Sequence, residues 1–596
     1  MNILAEIRKR FAAVLNDLVG QFCEVNDLLN MVCKSQNPKF GDYQANFVMS
    51  LARRIGKPEQ AQDLAADIVA RLKIDDLCWP ASVDGPGFIN MRLKRKFVIG
   101  QLQAIVNDPR LGVPEVETRK TYVIDYSSPN VAKPMHIGHI RSTVIGDALT
   151  RVLRFLGHQV ISDNHLGDWG TQFGMILFGY KHFLDVESFK TSPVNELARL
   201  YRKVWQRVGL CRLAGTILAN GDFVSTIHSK DFQKKHRKTI LAARDFEKSV
   251  FQETVKLHAG DESSLKLWGE FLPHCLQSLN KIYDRLNITF NQTLGESFYH
   301  DRLAGVVEDL IQRGIAKESD GAICIFQENK PPLIIRKKDG AFLYATTDLA
   351  TIQYRMTVWS PDVILYVVDH RQQFHFEHLF KAARQWGYKD VDFQHIAFGT
   401  VTGKDGKPFR ARSGETVDLE AVLDEAVNRA RNVCPYSDER TAETIGIGAL
   451  KYADLSHNRT SDYKFSYDKM LSLNGNTATY MQYAYARIKS IFRKGGIPID
   501  RLRSSGIVEI EDLALTKELL RFPEVLCDVA EDYRPNLLTN YLFDLAKRFS
   551  EFFENCQVLK AENKATRDSR LLLCDITART LQKGLELLGI DVVERM

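Results

Sequence analysis

The sequence predicts an α/β protein, with a parallel sheet at its centre, a small α/β unit before it and an all-α region after it. Three observations carry that prediction. Residues 121–167 read as strand, loop, helix and strand. Short apolar strands return at 363–369 and 394–398, beyond a long helical stretch. From about residue 415 onward the apolar spacing is almost wholly helical.

Residues 1–115 form the first unit. Ile3, Leu4, Ile7, Phe11 and Leu15 keep helical spacing with charges between them, which describes an amphipathic helix and not a signal peptide. Helical patterns cover about 2–30 and 57–73, and 83–92 reads as a strand. The pieces 37–43 and 84–90 are turn-rich. In the next unit, 121–126 is β-branched and aromatic, and a loop carrying Pro129 and Pro134 follows. Ile140, Val144, Ile145, Ala148, Leu149, Val152 and Leu156 then mark one helical face, Gly157 ends the helix, and 159–162 opens a second strand. This is a βαβ unit, the building block of a parallel nucleotide-binding sheet. Residues 190–320 are mostly helical and charged. The basic run Lys230, Lys234, Lys235, Arg237 and Lys238 reads as a solvated helix face, with an RNA contact as the alternative.

Composition narrows the class. The chain has 596 residues, 44% hydrophobic and 26% charged, which excludes global disorder, collagen and coiled coil and leaves room for several domains. The net charge of +6 is compatible with a polyanionic partner without requiring one. The ten cysteines make no C-x-x-C pair, which speaks against a thiolate zinc site and fits reduced thiols in a cytoplasmic protein. No apolar run approaches the ~20 residues that span a bilayer.

The chemistry concentrates at 127–139, Ser-Ser-Pro-Asn-Val-Ala-Lys-Pro-Met-His-Ile-Gly-His. Two histidines three apart flank a glycine where a strand's loop opens a helix. Unpaired N–H groups and the positive end of the helix dipole favour phosphate there. Gly138 permits close backbone approach. His136 and His139 can donate to phosphate oxygens as charge builds, and Lys133 adds a mobile cation. The rivals are zinc on H-x-x-H, for which no third ligand lies at suitable spacing, and a pair of core histidines.

These residues resemble the HIGH motif of class I aminoacyl-tRNA synthetases, in the form used by arginyl-tRNA synthetases. Segments at 166–174, 344–350, 451–456 and 480–487 are similar to that family in the same order, as is the terminal Val-Glu-Arg-Met. The resemblance covers essentially the whole chain and is weakest at 205–245, where the chain is longer than the family pattern. It implies a Rossmann-type parallel-sheet catalytic domain at 116–415 with a helical insertion at about 190–300. A small N-terminal α/β domain at 1–115 would touch the tRNA D-loop, 416–475 would connect, and an all-α domain at 476–596 would bind the anticodon. The implied reaction joins arginine and ATP into arginyl-adenylate and pyrophosphate, with Mg2+ on the phosphates. The arginyl group then passes to the 2′-hydroxyl of the terminal adenosine of tRNA(Arg), releasing AMP. Positioning and charge stabilisation carry such chemistry, so neither a protein nucleophile nor a protein-held metal is expected. A cytoplasmic monomer follows by analogy.

The family's amino-acid pocket carries over to Asp125, Ser128, Asn130, His139, Tyr344, Asp348 and Gln372. Asp348 and Asp125 are the expected guanidinium partners, because that planar fork pairs with carboxylates. Tyr344 would wall the pocket, and Asn130 and Gln372 would hold the α-amino and carboxylate end. On the residues alone, Asp348 could instead cap a helix, Tyr344 pack in a core and Gln372 sit idle in a loop. The KMSKS string of many class I enzymes is absent. The glycine-rich loop 403–414 offers Lys407, Arg410 and Arg412 in its place, with Lys133 supplying the missing cation.

For RNA, Phe88 is the expected stacking residue and Asn90 the expected base reader. Residues 476–596 carry 18 basic and 18 acidic side chains, which argues for local contacts over bulk attraction. Tyr480, Tyr483, Tyr485 and Arg487 could supply them, although Tyr483 and Arg487 share a face at a spacing equally suited to core packing. Two other classes fit the H-x-G-H motif: a small nucleotidyltransferase, which would be far shorter, and a non-catalytic RNA-binding paralogue.

Overall fold

A computed structural model of the chain describes residues 1–19, 24–131, 133–219, 230–403, 405–407, 409, 417–435, 438–507, 510 and 512–596. At 211–219, 230–241 and 505 it describes backbone only. The N-terminal unit holds an antiparallel sheet of β1 (Val32–Lys34), β2 (Tyr43–Ala45), β4 (Phe88–Met91) and β3 (Ser82–Asp84), in that order. The single strand expected at 83–92 is thus a hairpin. Gly85 and Gly87, at φ 56° and 118°, turn the chain back where a strand cannot continue. The helix expected over 2–30 is Ile3–Val19 followed by the short Val25–Leu29.

The central sheet contains β5 (Thr121–Asp125), β6 (Gln159–Leu166), β7 (Gln292–Gly295), β11 (Val363–Tyr366) and β12 (Asp392–His395). Its order is β12-β11-β5-β6-β7, and every pairing is parallel. The chain runs outward from β5 through β6 to β7, then returns to lay β11 on the other side of β5. The order therefore reverses between β5 and β11, where open α/β sheets form their ligand crevice. Between β6 and β7 rise the helices Pro193–Ala219, Lys230–His258 and Glu262–Arg285. Between β7 and β11 lies a small antiparallel sheet of β8 (Ala316–Ser319), β9 (Ala322–Ile325) and β10 (Leu333–Arg336). A two-residue strand β13 (Val401–Thr402) pairs with β14 (Tyr463–Lys464).

The helix Ile137–Phe155 follows β5 and is buried on all sides, because the sheet covers one face and the helix Glu439–Leu455 another. The expected apolar face packs as predicted, and Gly146 lets it close on β5's end: a Cβ there would meet the Tyr126 ring at 2.2 Å. The opposite face is charged, yet equally buried. Arg141 pairs with Asp454 at 3.2 Å, and Asp147 lies 3.8 Å from Lys451. Lys451 also donates to the carbonyls of Leu286 and Gly589, each at 2.6 Å, and burial pushes its amine down to about 8.

The C-terminal region is a bundle of Ala478–Gly495, Leu513–Leu520, Phe522–Asp532, Asn536–Asn555 and Lys564–Leu587. The N-terminal unit docks on it through Lys517–Asp42 at 2.7 Å, Lys34–Glu518 at 3.0 Å and the buried Glu524. Glu524 accepts the Tyr43 hydroxyl at 2.5 Å and the Leu4 N–H at 3.1 Å. Burial pushes this carboxyl up to about 7, against the pull of Tyr43 and Arg521. A carboxyl raised from its usual 4.5 binds its proton more tightly in the folded chain. The stability it contributes is therefore complete below about 4.5 and is lost as pH rises toward 7. Relative to Glu524→Gln, the parent's melting temperature is expected to fall by a few degrees between pH 5 and pH 8. Parallel melting curves across that range would remove Glu524 as the titrating group.

Candidate functional site

The site is built where β5 gives way to its helix. His136 is the residue before the helix, and its Nδ1 accepts the Gly138 N–H at 3.1 Å. The Nδ1 of His139 in turn accepts the His136 N–H at 3.0 Å. The two histidines thus form a reciprocal cap of the kind usually made by Ser and Glu. Their rings stack at 3.9 Å between centroids. Because both Nδ1 atoms act as acceptors, both rings carry their proton on Nε2. Burial, then the cationic Lys133, holds His136 below its ordinary value. His139 is pushed down to about 3 by burial and then by its neighbour His136. Two neutral N–H donors therefore stand at the positive end of a helix.

The loop leading there is strained. Ser127 and Ser128 both adopt left-handed backbone, at φ 69° and 45°, where a residue with a Cβ costs about 1–3 kcal/mol. Asn130 bridges to Gly167 beyond the end of β6, and a Cβ on Gly167 would meet Asn130 Oδ1 at 2.3 Å. Lys133 seats its ammonium 4.6 Å from the Tyr201 ring, on the first helix of the insertion.

A cavity of about 430 Å3 opens here, lined by Ser127, Ser128, His136, Gly138 and His139 from this loop and by Val367, Asp369 and Arg371 beyond β11. Gly399, Thr400 and Phe409 close its far wall. Arg371 places a guanidinium at this cavity, held by Asp369 at 2.7 Å. Of the glycine-rich loop, Lys407 is exposed and sits two residues before the lining Phe409. Arg410 and Arg412 lie outside the described residues.

The helix Tyr344–Val358 carries the second group. Residues 346–348 sit inside this helix, so Asp348 is not its cap. Tyr344, 65% exposed, shares its face with Asp348 one turn on. Asp348 Oδ2 meets His375 Nε2 at 2.6 Å, and the His375 ring lies 4.8 Å from that of Tyr344. Gln372 is exposed on the 3-10 turn His370–Gln372, one turn before His375. Glu296 is mostly buried near Asp348, Asp168 and His165, and burial pushes its carboxyl up.

Asp125 requires a correction. Its Oδ2 binds the fully buried Arg355 at 2.6 Å, and its Oδ1 accepts the Ser128 hydroxyl at 2.8 Å. Arg355 also binds Asp163 at 2.7 Å. The guanidinium that Asp125 holds is the protein's own, so its Oδ2 is already engaged by Arg355. Burial pushes the Asp163 carboxyl up, against the pull of Arg355.

The RNA candidates also sort by geometry. Phe88 is half-buried on β4. Asn90, 5% exposed, is engaged at both ends of its amide: its Oδ1 accepts from Gln44 at 2.7 Å and its Nδ2 donates to Asp84 at 2.5 Å. Reading a base would require this buried side chain to become exposed. On the helix Ala478–Gly495, Tyr480 packs on Phe543 and Tyr485 is buried. Tyr483 is 42% exposed, and the Arg487 guanidinium covers the Phe553 ring at 4.0 Å. Those two line a groove of about 680 Å3 with Arg493, Lys494, Lys560 and Arg595, and among the described residues no acidic side chain lines it. Local positive charge thus exists in a region neutral as a whole.

Glu296, His375, Arg355 and Arg371 escaped the sequence reading. No local pattern marks them, since each meets its partners only through the fold, apart from the pairing of Arg371 with Asp369.

The parallel sheet, the histidine-capped helix at its switch point and the helical C-terminal bundle define a class I aminoacyl-tRNA synthetase. Residues 101–467 match the model of the class I (R) tRNA synthetase catalytic domain, 5–93 that of the arginyl tRNA synthetase N-terminal domain, and 481–596 that of the DALR anticodon binding domain. The chain is 43% identical to the arginine–tRNA ligase of Rhodopirellula baltica, with all of both chains covered. It is 43% identical to that of Nostoc punctiforme over 95% of each. The crystal structure of the arginyl-tRNA synthetase from Plasmodium falciparum superposes with a TM-score of 0.80 at 29% identity, covering 100% of this chain and 99% of that one. The chain belongs to the arginine–tRNA ligase family. It is an enzyme that ligates L-arginine to its cognate tRNA with ATP, through an arginyl-adenylate, releasing AMP and pyrophosphate.

Proposed function

We propose a division of labour within this enzyme. ATP, carrying Mg2+ on its phosphates, lies in the cavity between β5 and β11. The Nε2–H groups of His136 and His139 donate to phosphate oxygens as the arginine carboxylate attacks the α-phosphorus, and Gly138 lets the backbone approach. Lys133, Lys407 and Arg410 balance the departing pyrophosphate, with Arg371 as a further cation at the cavity. Asp348 takes the guanidinium of arginine by exchanging its bond to His375, Tyr344 covers it, and Glu296 adds a second carboxylate. Asp125 acts through Ser128, whose hydroxyl it holds at 2.8 Å. Ser128, Asn130 and Gln372 hold the amino-acid end.

The observation that most supports this reading is the pair of neutral histidines, each with its acceptor atom used by the backbone and its donor left for a ligand. Their number and placement suit a reaction in which charge grows on phosphate oxygens and no protein nucleophile is needed.

In the same proposal, the unit at 1–115 meets the tRNA D-loop through Phe88, with Asn90 released from its intramolecular bonds. The unit at 476–596 meets the anticodon through the groove of Tyr483 and Arg487, while Tyr480 supports that helix from behind. Residues 116–415 are catalytic, and 416–475 connect the two. The enzyme works as a monomer in the cytoplasm. Among the described residues no helix is long and apolar enough to cross a membrane.

Aminoacylation of total tRNA with each radiolabelled amino acid in turn, with ATP and Mg2+, tests the pocket. Labelling by arginine alone is expected, and its loss on chelation of Mg2+ would support the metal's place. Labelling by another amino acid would overturn the carboxylate pocket.

A further inference from the structure

The strained turn at Ser127–Ser128 is held by side chains from distant elements. The Ser127 N–H donates to Ser142 Oγ at 2.9 Å, and Ser142 passes its own proton to the Val367 carbonyl at 2.6 Å. The Ser128 N–H donates to Asn164 Oδ1 at 3.1 Å. The Asn164 amide donates to the Tyr283 hydroxyl at 3.2 Å, and that hydroxyl shares a hydrogen bond with Ser127 Oγ at 2.8 Å in which either oxygen can donate. The circuit closes on itself: Tyr283 to Ser127, Ser127 to Ser128 along the chain, Ser128 to Asn164, Asn164 to Tyr283.

Tyr283 stands in the last turn of Glu262–Arg285, the final helix of the insertion between β6 and β7. It is 4% exposed, and its ring packs edge-on against Phe290 at 5.1 Å. Burial pushes its phenol up to about 12, so it remains a donor throughout the working range. Thr143 Oγ1 also meets Ser127 Oγ at 2.9 Å, from the helix that bears the histidines, so Tyr283 is the tie that joins this turn to the insertion; without it the two adjacent left-handed serines are freer to relax toward ordinary backbone. That relaxation would swing Ser128 and Asn130, which immediately follow.

We infer that Tyr283 is a positioning residue for the amino-acid end of the reaction: its hydroxyl, shared between Ser127 and Asn164, fixes the strained turn and so aims Ser128 and Asn130 at the substrate. The helical insertion thereby acts on the arginine site through one hydroxyl. The inference rests on the reading above that Ser128 and Asn130 hold arginine.

Tyr283→Phe removes the hydroxyl and keeps the ring. Steady-state aminoacylation should show the KM for arginine raised about three- to tenfold, the size of one or two neutral hydrogen bonds, with the KM for ATP raised less. Ser127→Ala should raise it similarly, and the double variant should be no worse than either single one, because both break the same circuit. An unchanged arginine KM, an equal rise for ATP, or additive single effects would each overturn the inference. Asn130→Ala tests the underlying reading separately. If it raises the arginine KM while Tyr283→Phe does not, the inference alone fails; if Asn130→Ala changes nothing, the reading of the turn fails and the inference with it.

Discussion

Replacing Asp348 by alanine is expected to abolish arginine-dependent charging while leaving ATP binding nearly intact. The carboxylate is three-quarters buried, and its Oδ2 already meets His375 Nε2 at 2.6 Å. In the proposed pocket, arginine trades its hydration for that carboxylate, and without it the guanidinium is left with Glu296 alone. Loss of one partner of a desolvated charge pair costs 2–5 kcal/mol or more, so kcat/KM for arginine should fall by about 10³-fold. The helix should survive, because Asp348 sits within its second turn and not at its cap. Equilibrium dialysis with ATP, beside the arginine kinetics, separates the two substrates. A matching loss of ATP affinity would remove Asp348 from its assigned place.

His139→Ala is expected to lower the rate of adenylate formation by about 10²–10³, the cost of one lost transition-state donor. Alanine also removes an acceptor from the helix start, which costs about 1 kcal/mol of stability. His139→Asn separates the two effects. Asparagine can cap the helix but cannot extend an N–H to where Nε2 stands, so it should restore the melting temperature and not the rate. Because the imidazole is held neutral down to about pH 3, its contribution should not vary between pH 6 and pH 9. A single-turnover rate unchanged by either substitution would take His139 out of the chemistry.

How much of this was legible depended on distance along the chain. The βαβ unit and the histidine-capped helix were readable because strand, loop and helix signals lie within about fifty residues and each reports on its neighbours. Asp348 drew its role from resemblance, since its local setting suited a cap equally well. The positions whose surroundings stayed hidden are those whose partners lie far away in sequence or fold. Nothing near Asp125 announces Arg355, 230 residues later, as the cation that engages it. Nothing in Gly-Phe-Ile-Asn reveals that Gln44 and Asp84 share the Asn90 amide. Tyr480, Tyr483 and Tyr485 look alike as a string, and only the packing of Asn536–Asn555 and Lys564–Leu587 behind that helix separates the buried from the open.

The buried Lys451 has a consequence for how such a chain can be remodelled. Its amine is shared by the catalytic helix through Asp147, by the insertion through the Leu286 carbonyl, and by the segment after the last bundle helix through the Gly589 carbonyl. The front and the back of the enzyme therefore meet at one atom. A chimera that grafts a foreign RNA-binding module onto this catalytic half must import a carbonyl at that point. Without one, the graft leaves a half-solvated ammonium against the helix that bears both histidines. Modularity, in this molecule, has a seam that a sequence boundary does not mark.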